Sequence, residues 1–335
     1  MNASRHHRNA RLDCIAKHNM RKSEIVNARH LLFKLVGRFG PAWSLTLLVM
    51  CVDAVWLVFG GWSVSGRNVA ALGLAAAAFF APLAFGRYRR ELRIATTLRA
   101  AALLIVFQAA AATLSYLVIS TGAGLVDAPL AACDRALGFD WLALHAWLRS
   151  HPFAQTALHI AYNSGLVQLV FVLLFLGLSG RPERLAEFMR LFIVATLLNI
   201  LVSGPFPAAG TWKHYAVGEA LDLSTLSHFE LLRSGQLHEI PLGQMQGLIS
   251  IPSLHAAMAV LIVYALRGTL VFPLFVVLNA AMLASTPIDG GHYLVDVAAG
   301  VALALGLIAL SRKHSAHPQP AEPGLNISGF GALHR

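Results

Sequence analysis

The chain has 335 residues, of which 57% are apolar and only 13% charged, and its mean hydropathy is +0.63. A soluble globular chain carries about a quarter charged residues, so the composition excludes a disordered protein and argues against an ordinary soluble enzyme. A net charge of +10 would suit a nucleic-acid partner, but in a chain this apolar basic residues more often record membrane topology.

Residues 1–40 are basic, with Ile25, Leu32, Leu35 and Phe39 near helical spacing. That pattern fits a helix on an anionic leaflet or a solvated tail equally well, and nothing in it resembles a cleaved signal peptide. A span needs about 20 mostly apolar residues to cross a hydrocarbon core of roughly 30 Å. Such stretches run near 42–60, 68–86, 100–120, 156–178, 187–206, 250–267, 270–287 and 292–311. The expected fold is all-α, a polytopic membrane helical bundle of about eight transmembrane helices. A basic cytoplasmic tail (1–40) and a two-span addition (41–97) precede a six-span catalytic unit (98–311), and 312–335 reads as a disordered cytoplasmic tail. Of the 26 lysines and arginines, 21 lie in the two tails and the loops at 87–99, 181–190 and 267. The alternate loops hold only Arg67, Arg135, Arg149, Lys213 and Arg233. Positive loops stay in the cytoplasm, which places both termini inside and the alternate loops outside, as in a bacterial inner-membrane protein.

Two outward segments have character of their own. Residues 122–155 mix Trp141 and Trp147 with charges, as an interfacial helix would. The loop 208–249 is long enough to be a lid or binding loop. Three cysteines, Cys14, Cys51 and Cys133, are too scattered for a disulfide framework or a zinc site.

Ionisable groups at or within spans are costly and therefore informative. One set, Ile251-Pro252-Ser253-Leu254-His255, opens span six; another, Gly290-Gly291-His292-Tyr293-Leu294-Val295-Asp296, opens span eight. The topology puts both at the outward face. Pro252 suits the first turn of a helix, where free backbone donors attract a phosphate, and Ser253 adds a hydroxyl. His292 and Asp296, four apart, share a helix face, so Asp296 can orient the imidazole as the carboxylate of a triad does. Two histidines, one carboxylate-backed, suffice for a nucleophile and a general acid in phosphoryl transfer. A histidine near a membrane interface is also a common structural residue. Taken as ligands, His255, His292 and Asp296 would make a three-residue metal set, without an HExxH-type pair to support it.

PSLH followed by GHYLVDVAAG resembles the type 2 phosphatidic acid phosphatase superfamily, whose second motif reads PSGH. Its third motif reads SR, five residues, H, three residues, D, and Ser285, His292 and Asp296 fit that spacing. PSLH in place of PSGH, with FPAAGTW upstream, is similar to the inositolphosphotransferase (inositol phosphorylceramide synthase-like) branch. The resemblance covers roughly 98–311. It implies that His292 is the nucleophile forming a phosphohistidine, that Asp296 activates it, that His255 protonates the leaving oxygen, and that Ser253 helps hold the phosphate. It implies no metal and no organic cofactor. The implied substrate is a lipid phosphate or phospholipid, within membrane lipids and without nucleic acid.

Three departures matter. Leu254 replaces the motif glycine, Thr286 stands where the third motif has arginine, and the first motif (lysine, six residues, Arg-Pro) is absent. Arg181-Pro182 imitates it, but Leu174 occupies the lysine position and the pair lies in a cytoplasmic loop. Phosphoryl transfer leans on cationic clamps, so a replacement is expected. Lys213, just after FPAAGTW, is the first candidate and Arg233 the second. His214, Glu219, Asp222, His238 and Glu239 give the long loop hydrogen-bonding groups for a polyol acceptor. His159 and Asn163 are expected to pack against neighbouring helices. The competing class is a transporter or a non-catalytic membrane scaffold, whose site would lie near mid-membrane on broken helices; the motifs here lie at span ends. No internal repeat points to a transporter's paired halves.

Overall fold

A computed structural model of the protein describes residues 39–217 and 224–316. The basic segment before Phe39, the tail after Ala316, and Glu219 and Asp222 lie outside the described residues. The fold is an all-α bundle. In chain order its helices are α1 (Gly40–Gly60), α2 (Gly66–Phe80, extended by a 3-10 turn at Ala81–Ala84), α3 (Gly86–Arg90), α4 (Leu92–Ile119), α5 (Asp127–Ala136), α6 (Trp141–Ser150) and α7 (Pro152–Asn163). There follow α8 (Gly165–Leu178), α9 (Pro182–Ser203), α10 (Thr211–His214), α11 (Ser224–Arg233), α12 (Leu254–Ala265), α13 (Phe272–Asp289) and α14 (Leu294–Ala316).

Six helices are long and apolar enough to cross a membrane: α1, α2 with its 3-10 turn, α4, α9, α13 and α14. They make this a multi-pass membrane protein. Of the remaining two expected spans, one is a broken pair of helices and the other falls short of a span, so the described residues hold six spans, or seven if the broken pair counts as one. The fourth is broken into α7 and α8, bent by 46°. The bend falls at Ser164–Gly165, where the Ser164 hydroxyl donates to the Ala161 carbonyl at 2.6 Å, and Gly/Ser pairs are common kink sites. The sixth keeps only the twelve residues of α12. At 1.5 Å per residue that is about 18 Å, short of the roughly 30 Å hydrocarbon core. Residues 241–253 ahead of it are non-helical. Such backbone is tolerated at membrane depth only where protein surrounds it or it lines a cavity, and here it does the latter.

The 28-residue α4 is the central column, with Ala100, Leu103, Phe107 and Leu117 wholly buried. It begins at Leu92, so a boundary at 97–98 falls inside it. Around it, α9, α12 and α14 pack on one another and α13 lies against α7 and α12. The two N-terminal spans lean on α4 and leave most of their surface exposed, as lipid-facing helices do. The turn between them does more than connect. Ser63–Val64 (β1) pairs in parallel with Glu239–Ile240 (β2) of the long loop, Ser63 N–H donating to the His238 carbonyl at 2.9 Å. Trp56, Leu57, Trp62 and Val64 then close over a buried cluster of Tyr116, Phe229, Leu232, Ile240 and Leu248. The first two spans are thereby fastened to the long loop.

Two expectations of local structure are corrected. Pro252 lies outside α12, whose N-cap is Ser253; a serine oxygen can accept from the first-turn amides, so it displaces the proline from the start. Trp141 is 1% exposed while Trp147 is 49% exposed. Trp147 keeps the exposure that an interfacial tryptophan would need, whereas Trp141 turns inward and donates its indole N–H to the Pro287 carbonyl.

Candidate active site

The two histidine sets meet at one end of the bundle, and α14 holds them together. Asp296 is fully buried. Its backbone carbonyl accepts from Ser253 N–H at 3.0 Å, and its Oδ2 accepts from the Ser250 hydroxyl at 2.8 Å and from Tyr293 N–H at 3.1 Å. The same Oδ2 lies 3.6 Å from His292 Nδ1, an ion-pair distance rather than a hydrogen bond. On the other side of the ring, Nε2 lies 3.4 Å from Ser253 Oγ, which also accepts from Ala256 N–H at 3.4 Å. His292 Nδ1 and Asp296 Oδ1 have no other partner among the described residues. The imidazole thus stands between a carboxylate and a helix N-terminus. Gly300 makes the approach possible: a Cβ there would sit 2.2 Å from the Ser253 carbonyl oxygen.

His255 sits one residue into α12. Its ring stacks on Tyr162 with centroids 4.3 Å apart, and its Nδ1 is 3.3 Å from the Tyr162 hydroxyl. Tyr162 comes from the end of α7, just before the bend, so the broken span serves to aim it. The PSLH backbone is held from behind by Asn199 of α9, whose amide donates to the Pro252 carbonyl.

The outer helices fix the His292 segment from outside. Asp134 of α5 is fully buried and accepts from Leu294 N–H at 2.8 Å and Val295 N–H at 3.0 Å, capping α14 with a side chain from elsewhere in the chain. Burial pushes its carboxyl above the usual carboxylate range, against the pull of those two amides. Asp127 accepts from the Tyr293 hydroxyl and from Gly210 N–H, each at 2.9 Å, and from Ala209 N–H at 3.0 Å. Trp141 and Trp212 donate their indole N–H groups to the Pro287 and Ile288 carbonyls, each at 2.8 Å, and the two rings meet edge to face. Gly291, at φ +63°, closes the turn against Trp212, where a Cβ would lie 2.6 Å from the indole.

A cavity of about 300 Å³ opens beside this arrangement. His255, Tyr162, Gly290 and Gly291 line one wall, and Phe229, Leu248 and Ile249 an apolar one. Ser253, His292 and Asp296 are not in its lining and lie behind the glycine turn. Lys213 is also outside the lining and pairs with Glu230 of α11. Arg233 packs its guanidinium over Phe229, 5.5 Å from the ring centroid, with a buried Nη1 that has no hydrogen-bond partner among the described residues. The hydroxyls of Ser285 and Thr286 turn back to the Met282 carbonyl of their own helix. His159 is largely exposed and bonds Asp289 at 2.9 Å. No group of three or more His, Cys, Asp or Glu side chains among the described residues is arranged to hold a metal ion.

Sequence reading missed Asp127, Asp134, Tyr162, Asn199 and Ser250. Buried acidic residues on the segment 122–155 carried a signal, since an interfacial helix has little need of two carboxylates on its inward face; the others carried none.

A protein-family model described as the PAP2 superfamily matches residues 128–310, more than half of the chain. The chain belongs to the PAP2 superfamily. Membership supports a phosphatase or phosphotransferase type of enzyme, and the matched stretch contains His255, His292 and Asp296 and excludes α1, α2 and α4. Neither the curated proteins nor the solved structures contain a match.

Proposed function

We propose that this PAP2 superfamily member transfers a phosphoryl or phosphodiester group from a lipid phosphoester through a phosphohistidine on His292, at the outward membrane face. The observation that carries the reading is Asp296, which contacts both motifs at once: its carboxylate faces His292 and its backbone holds Ser253. His292 Nε2, turned toward Ser253, attacks phosphorus. The bond to the leaving oxygen breaks, and protonated His255 supplies that oxygen with a proton. Asp296 stabilises the imidazolium as charge develops. His255 then takes a proton from the incoming water or alcohol, which displaces His292 and regenerates the enzyme. Ser253 and the first amides of α12 receive the phosphate oxygens. The apolar wall of Phe229, Leu248 and Ile249 suits a lipid, and the charge asymmetry supports an outward site with both termini inside.

The acceptor is read as an alcohol, as in the inositolphosphotransferase branch that PSLH and FPAAGTW resemble. A phosphohistidine partitions between water and the nearest hydroxyl, and a loop covering the site excludes water. The loop supplies Phe229, Gly247 and Leu248 to the cavity and is tethered by β1. The test is purified enzyme with a phospholipid donor and inositol, ceramide or glycerol in turn. A new phospholipid product supports transfer; release of free phosphate or headgroup phosphate alone, whatever the acceptor, reduces the enzyme to a hydrolase.

A cation must still replace the missing first-motif residues. Lys213 is free for a phosphate only after releasing Glu230, whereas Arg233 has an unpartnered nitrogen beside the Phe229 wall. Lys213→Ala is expected to lower kcat modestly and Arg233→Gln by about 10²-fold, the scale for losing one transition-state donor. Rates unchanged in both variants would remove both from the phosphate site.

A further inference from the structure

At the far end of the bundle lies a second cavity, of about 680 Å³, lined by Glu183, Arg184, Glu187, Arg190, Tyr264, Arg267 and Arg312. The helices that bring His255 and His292 to one end bring these residues to the other. Tyr264 lies near the end of α12, and Arg312 lies 18 residues after Leu294 in α14, about 27 Å along the axis.

Part of this cluster is internally satisfied. Glu187 accepts from the Tyr264 hydroxyl on one oxygen and from Arg267 on the other, both at 3.0 Å. Arg267 also donates to the Tyr264 carbonyl at 2.7 Å and lies flat over the Tyr264 ring at 3.8 Å. Arg184 donates to the Arg267 carbonyl. These contacts fix the wall. Arg190 and Arg312 have no hydrogen-bond or ion-pair partner among the described residues, and both are exposed to the cavity they line. Four guanidinium groups therefore line the cavity with two carboxylates, one of which has its two oxygens taken by Tyr264 and Arg267. A topological preference for basic residues requires them at this end of the spans; it does not require arginines from two different helices to converge unpaired on one pocket.

We propose that this cavity binds a phosphate group, presented by the headgroup of an anionic lipid in the adjoining leaflet. Planar guanidinium forks match phosphate oxygens in pairs, and basic pockets between spans are a recurrent way of holding such headgroups. The volume is within the range of ligand sites. The cavity stands where apolar helices end, and Leu270, three residues after its lining Arg267, is fully exposed, which favours a membrane-borne ligand over a soluble one.

The test uses the full chain in nanodiscs of phosphatidylcholine containing a minor fraction of phosphatidylglycerol, with the lipid retained after detergent extraction counted by native mass spectrometry. Wild type should keep phosphatidylglycerol in preference to phosphatidylcholine. Arg190→Gln/Arg312→Gln should lose about tenfold or more of that retention, the equivalent of one charged hydrogen bond, and the double lysine variant should fall between. Both variants keep the His255 and His292 end intact, so turnover of a soluble short-chain substrate should be unchanged. Equal retention by wild type and the glutamine variant, or no preference between the two lipids, overturns the site. Displacement of phosphatidylglycerol by inorganic phosphate, with phosphate binding alone showing the same arginine dependence, overturns the lipid as its source.

Discussion

Replacing His292 with alanine should lower turnover by about 10⁴-fold or more, the scale on which nucleophile-and-base units fail when one member is removed. The imidazole is 4% exposed, with Ser253 on one nitrogen and Asp296 near the other, so no neighbouring group stands ready to replace it. Asp296→Asn keeps the shape of the side chain and its acceptor for Tyr293 N–H, but removes the charge that favours the imidazolium. It should lower kcat by about 10²–10⁴-fold and leave measurable activity. Thermal unfolding of both variants, compared with wild type, separates chemistry from folding. The decisive measurement is a rapid quench with labelled donor. An acid-labile label should appear on wild type and be missing from His292→Ala. A label of undiminished amount on His292→Ala would assign the nucleophile elsewhere.

Loss of His255 should depend on the leaving group. For an alkyl phosphoester His255→Ala should cost about 10²–10⁴-fold, the usual contribution of a general acid. For an aryl ester with an acidic phenol, which leaves without a proton, most of that loss should vanish. The pH dependence follows from the roles. Attack calls for a neutral His292 and leaving-group protonation for a cationic His255, so the two roles need opposite protonation states. The wild-type profile should be bell-shaped, and His255→Ala with the aryl ester should keep only the acid-side limb. A bell that survives intact in the variant would take the acid role from His255. Inhibition by chelators with recovery on adding zinc would overturn the metal-free route.

The bundle and the meeting of the two histidine sets at one of its ends were legible because they obey one-dimensional rules. Apolar runs give spans, and an ionisable side chain at a span end has few structural excuses. What was not legible depends on contacts between distant segments. Asp134 caps a helix that begins 160 residues later, and Asp127 joins Tyr293 to the backbone of Ala209 and Gly210; neither has a local pattern. Hydropathy also reads the stretch 250–267 as one span, because it registers apolar residues and not backbone hydrogen bonds. The structure spends its first residues on non-helical cavity wall and the rest on α12. Lys213 and Arg233 could be found as charges in a loop, but which of them is already neutralised by a carboxylate is a three-dimensional fact.

The short pairing of β1 with β2 means that the stretch recognised as PAP2 lines the whole pocket but does not by itself hold the pocket's wall in place. A two-residue bridge and two tryptophans from the first spans hold down a loop whose other side, through Phe229 and Leu248, is the apolar wall of the cavity. A protein begun at α4 would retain every group proposed for bond breaking, yet its loop would have an open strand edge and an unsupported Ile240. On the proposed phosphohistidine route, water would then reach the site sooner than an alcohol. The two N-terminal spans would count less as an anchor than as a setting of product ratio, and a protein begun at α4 should shift its products from transfer toward hydrolysis with its bond-breaking groups untouched.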